Sequence, residues 1–113
     1  MMFNVENTGK ITVVALNVES LDAGNATVFK SEIRPVIEGK RKVVLEISKL
    51  DFVDSSGLGA ILSSLRTVNS NDGELVLCGM TKPVRALFEL VRMHRIVDVF
   101  NTKEEAINSF KGD

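Results

Sequence analysis

The segment KVVLEIS at residues 42–48 is a short β-branched run bounded by charge, and soon after it the apolar period changes. Leu58, Ile61, Leu62, Leu65 and Val68 fall at i, i+3, i+4, i+7 and i+10, the spacing of one helix face. A buried strand followed by an amphipathic helix must bury that helix face on the sheet, and a chain that repeats the step builds a parallel sheet with helical crossovers. The step does repeat. ELVLCG at 74–79 reads as a strand, and TKPVRALFELVR at 81–92 as a helix with Val84, Leu87, Phe88 and Val91 on one face. Thr81 is its expected cap and Pro83 lies in its first turn. IVDVF is a last short strand, and NTKEEAINSF opens a terminal helix in which Thr102 and Glu105 have capping-box spacing.

The first part of the chain differs. FNVEN and KITVVALNV are strand candidates separated by Thr8-Gly9, a hairpin signal. In residues 18–40, Ala26, Phe29, Ile33, Val36 and Ile37 fall near helical spacing, with Gly39 closing the element. Pro35 conflicts with that helix, because it lacks an N–H and crowds the preceding turn; a kink or an early end is expected there. The resulting fold class is α/β: one domain over residues 1–113, with a mixed, mostly parallel sheet of about five strands and about four helices.

Composition narrows the function. The chain of 113 residues carries 14 Lys and Arg against 15 Asp and Glu, a net charge of −1, so the basic face of a nucleic-acid binder is not expected. No apolar run approaches a membrane span, and MMFNVENTGK lacks a signal-peptide apolar region, so the cytoplasm is the expected compartment. One cysteine, Cys78, excludes an internal disulfide, and one histidine, His94, excludes a His-rich metal site. No metal or cofactor is expected. Cys78 reads as a buried strand residue, His94 as a turn or packing residue, GKRK at 39–42 as a solvated loop, and Met80 and Met93 as gap-fillers under the third helix.

The unusual stretch is FVDSSGLGAIL, residues 52–62, which places Asp54, Ser55 and Ser56 at the start of the 57–69 helix. Asp and Ser oxygens accept from the unpaired N–H groups of a helix start, so capping by Asp54 or Ser55 is the plain reading. A catalytic serine would need a base in reach; only His94 is available, and the G-x-S-x-G elbow is absent. Gly57-Leu58-Gly59 lacks the third glycine of a dinucleotide fingerprint. A phosphoacceptor role for Asp54, as in receiver domains, would need an acidic pair on an early strand, and TVVALNV has none. What remains is a surplus of hydroxyls. Two serines flanked by glycines leave one hydroxyl free for phosphorylation, which the helix dipole tolerates.

LDFVDSSGLGAILSSLR resembles the signature of bacterial anti-sigma-factor antagonists, the founding members of the STAS domain family. The likeness extends through SLDAGNA, the strands around Gly73 to Gly79, and KPVRALFELVRMHRIVDVF. It implies a protein, not an enzyme, that binds an anti-sigma factor when unphosphorylated and so releases a sigma factor. The partner it implies is a serine kinase of GHKL type, with a PPM-type phosphatase resetting the switch. The implied acceptor is Ser56, with Ser55 as second choice. The implied partner-binding residues are Asp22, Asp54, Ser55, Gly57, Leu58 and Gly59, although Asp22 fits a helix cap equally well. The free chain is expected to be a monomer. The competing expectation is a STAS scaffold subunit of a signalling or lipid-transport complex without the phosphorylation cycle.

Overall fold

The computed structural model describes residues 2–111. The opening hairpin pairs β1 (Phe3–Thr8) antiparallel to β2 (Ile11–Leu16), with Gly9 at φ 61 in the turn, where a Cβ would be strained. A two-residue strand β3 (Ser20–Leu21) precedes α1 (Ala26–Ile37). Then follow β4 (Lys42–Glu46), a second two-residue strand β5 (Phe52–Val53), α2 (Ser55–Asn69), β6 (Glu74–Cys78), α3 (Lys82–Leu90), a 3-10 turn (Met93–Arg95), β7 (Val99–Phe100) and α4 (Lys103–Asn108). The main sheet runs β1-β2-β4-β6-β7, and every pairing after the hairpin is parallel.

Side chains alternate across the two faces of this sheet, as strand geometry requires. Val43, Leu45, Leu75 and Leu77 join the main core with Phe29 and Ile33 of α1, Ile61, Leu65 and Val68 of α2, and Val84 and Phe88 of α3. The intervening Val44, Val76 and Cys78 face the other way, onto Ala106 and Phe110 at the C-terminal end of the chain. Burial beside Glu46 pushes the Cys78 thiol up to about 12, so it sits as a neutral packing group. The expected capping box forms: Thr102 Oγ1 accepts from the Glu105 N–H at 3.1 Å, and Glu105 Oε1 accepts from the Thr102 N–H at 3.1 Å.

Three local expectations need correction. α1 continues through Pro35 and ends two residues later, so the proline occupies the last turn, exposed, where it removes a single helix bond. α2 begins at Ser55, not at residue 57, which makes the two serines its first helical residues. Thr81 has the cap position of α3, but its hydroxyl does not cap: it donates to the Leu50 carbonyl at 2.7 Å.

Candidate functional site at the start of the second helix

The site is built by a ladder too short to show a period in sequence. β3 and β5 pair in parallel, Ser20 opposite Phe52 and Leu21 opposite Val53. Around it the Asp51 and Phe52 N–H groups donate to the Glu19 carbonyl at 2.7 and 3.2 Å, and the Asp54 N–H to the Leu21 carbonyl at 3.3 Å. The loop after β2 is thereby laced to the loop that opens α2.

Asp54 completes the lacing. Its Oδ1 accepts from the Gly57 N–H at 2.9 Å, which caps α2, and its Oδ2 accepts from the Ala23 N–H at 3.0 Å, 31 residues away in sequence. The Gly57 bond, helped by those from Ala23 and Ser56 and opposed by partial desolvation, holds this carboxyl below its ordinary value. Gly57 is required by contact: a Cβ there would lie 1.9 Å from the Leu21 carbonyl oxygen. It is buried, so its part is to let helix and ladder meet, and it presents no surface to a partner. Gly59 is exposed, with nothing within 4 Å of a built Cβ, and Leu58 is half-buried against the core.

Because Asp54 does the capping, the hydroxyls of Ser55 and Ser56 are left over. Both residues are exposed, and among the described residues neither hydroxyl is held by a protein partner. Asp22 is half-buried and is not the cap of α1, whose cap position is Asn25. Its carboxylate instead accepts from the Gly24 N–H at 2.9 Å and the Ser20 hydroxyl at 3.0 Å, while Asn25 Oδ1 accepts from the Asp22 N–H at 2.9 Å. The Asp22 loop is thus tied by its own hydrogen bonds and lies directly beside Asp54, through Ala23. Sequence reasoning missed Phe52, which is 55% exposed next to this loop. Its alternation with buried Val53 across β5 is the one signal that could have placed it on the surface.

The remaining chemistry is sparse. His94 lies exposed in the 3-10 turn beyond α3, and among the described residues its imidazole makes no hydrogen bond to Ser55 or Ser56. Among the described residues no cluster of three or more His, Cys, Asp or Glu is arranged to hold a metal ion, and no helix is long and apolar enough to cross a membrane.

The alternating sheet, the laced loops and the serine pair at the start of α2 define a chain that belongs to the STAS domain family, whose match spans residues 2–106. Proteins named as anti-sigma factor antagonists match over most of the chain. A candidate anti-sigma factor antagonist of Bordetella bronchiseptica, BtrV, is 34% identical over 92 residues, covering 80% of this chain and 79% of its own. The crystal structure of a candidate anti-sigma factor antagonist from Thermotoga maritima superposes with a TM-score of 0.85 at 26% identity, covering 96% of this chain and 93% of that one. The Bacillus cell fate determinant SpoIIAA, solved in its phosphorylated form, matches with a TM-score of 0.71 at 25% identity, covering 96% and 99%.

Proposed function

We propose that this chain is a phosphorylation-switched anti-sigma-factor antagonist. In its unphosphorylated form it binds an anti-sigma factor that is also a GHKL-type serine kinase, and the captured factor releases its sigma factor. The kinase then transfers the γ-phosphoryl of ATP to the Ser56 hydroxyl, with ADP leaving, and the complex opens. A PPM-type phosphatase hydrolyses the phosphoserine and resets the cycle. In this reading the cycle runs in the cytoplasm, where ATP supplies the kinase.

The observation that carries this reading is the division of labour at the start of α2: Asp54 satisfies the helix, and the serine hydroxyls beside it are exposed and unused. Phosphoserine adds about −1.5 to −2 charge at neutral pH, and a helix start accommodates an anion. A partner packed over Ser56 does not. An unpaired charge trapped in an interface costs on the order of 3–5 kcal/mol, and each 1.4 kcal/mol or so is tenfold in affinity. Ser55, Leu58, Gly59 and the Asp22 loop surround Ser56 in this reading as the contact surface, with Asp54 beneath them and exposed Phe52 as an apolar anchor at its edge.

The test is to incubate the chain with its cognate kinase and ATP and to map the product by mass spectrometry. Phosphate on Ser56 is the expected result. Phosphate on Ser55, on Asp54 or nowhere overturns the assignment.

A further inference from the structure

α1 and α2 pack side by side, and a cleft of about 320 Å³ opens between them on the solvent side. Its polar walls are Thr27, Lys30, Ser31 and Arg34 of α1 and Ser63 and Thr67 of α2, Ile33 and Ile37 also line it, and among the described residues no carboxylate does. The α1 residues share one face because they recur at three- and four-residue spacing. Ser63 lies seven residues after Ser56, two turns along the same face of α2 and about 10 Å away along the axis.

Counting donors and acceptors gives the cleft a chemical preference. The Thr67 hydroxyl donates to the Ser63 carbonyl at 3.0 Å, and that of Ser64 on the cleft floor to the Ala60 carbonyl at 3.1 Å. Among the described residues, the hydroxyls of Thr27, Ser31 and Ser63 donate to no protein acceptor. Lys30 is exposed. Among the described residues the Arg34 guanidinium pairs with Glu38 of its own helix, at 3.6 Å with both side chains mostly in solvent, a pairing easily exchanged. Three hydroxyl donors and two cations therefore face one cleft, and a carboxylate, which only accepts, is their complement.

We propose that this cleft is a specificity pocket for the same kinase, seating an acidic segment of that partner when its main contact covers Ser56. The inference rests on the antagonist reading. It adds a second contact that phosphate does not directly oppose, because two helical turns separate them, a distance at which salt screens much of the repulsion. The surface would then present the partner with carboxylates at Asp22 and Asp54 and cations at Lys30 and Arg34, an arrangement that fixes docking direction.

The test uses the kinase that phosphorylates Ser56, titrated by calorimetry in the absence of ATP. Lys30→Glu/Arg34→Glu should weaken binding by about tenfold or more and flatten its salt dependence. Lys10→Glu/Lys111→Glu makes the same charge change at the hairpin turn and beyond α4, at residues that do not line the cleft, and should stay within about twofold. All four side chains are exposed, and unchanged urea midpoints verify folding. If a kinase phosphorylates Ser56 but the cleft variant binds like wild type, or both double variants lose affinity equally, the pocket is overturned while the antagonist reading stands. If no kinase phosphorylates Ser56, both fall.

Discussion

α2 and α3 start from similar backbone and spend their caps differently. Asp54 and Thr81 both stand in extended conformation at the residue before the helix, with φ/ψ of −101/−171° and −73/164°. At α3 the hydroxyl is consumed: it donates to the buried Leu50, just upstream of β5, and so braces the loop that carries the site. At α2 a carboxylate accepts from the helix and from the Ala23 loop together, leaving two hydroxyls without structural duty. α4 agrees with α3, since Thr102 is spent on its capping box. A hydroxyl at a helix start is available for chemistry only where another group has taken over the cap, and among these three starts that holds at α2.

The comparison is open to test by breaking each start. Gly57→Ala should have the largest effect on stability, a loss of about 3 kcal/mol or more in urea unfolding, because the new Cβ meets the backbone oxygen of Leu21. Gly59→Ala, two residues on and in open space, should instead gain about 0.5–1 kcal/mol from helix propensity. Equal effects at the two glycines would show that the close approach of α2 to β3 is wrong. Thr81→Val should come next, at about 1–2 kcal/mol, since it leaves the Leu50 carbonyl buried without its donor.

Asp54→Asn sharpens the electrostatic side. The folded state holds the Asp54 carboxyl below its ordinary value of 3.8. A depressed carboxylate stabilises the fold above its unfolded-state pKa, and that contribution disappears as pH falls through the folded value. Between about pH 5 and pH 2 the wild type should therefore lose stability more steeply than Asp54→Asn, read from urea midpoints across that range. Parallel curves would mean that Gly57 and Ala23 do not hold the ionised form. The smallest effect is expected at the neighbouring hydroxyl: Ser56→Asp should change stability by less than about 1 kcal/mol, as an exposed group at a helix start.

Much of this was readable in sequence where period and chemistry are local. The Thr8-Gly9 hairpin, β4, the apolar face of α2 and the Thr102–Glu105 capping box each depend on neighbours within a few residues. What was not readable depends on distant ones. β3 and β5 have two residues each and no period, yet they bring Ala23 to Asp54. Thr81 carried a cap signal, but its acceptor, Leu50, lies 31 residues away. Pro35 carried a helix-breaking signal that its place in the final turn of α1 makes harmless. Phe52 drew no assignment from sequence, because its apolar character was legible and the face it occupies was not.

The central claim is that phosphate on Ser56 closes a surface that the fold otherwise leaves open. Calorimetry against the cognate kinase, with the Ser56→Ala, Ser56→Asp and phosphorylated forms titrated side by side, tests it most directly. Ser56→Ala should bind about as well as wild type and resist release by ATP. Ser56→Asp should bind on the order of a hundredfold more weakly, from a penalty of about 3 kcal/mol, and the phosphoprotein more weakly still because it carries more charge. Equal affinities for the three forms would contradict the switch and leave a STAS scaffold whose partner ignores Ser56.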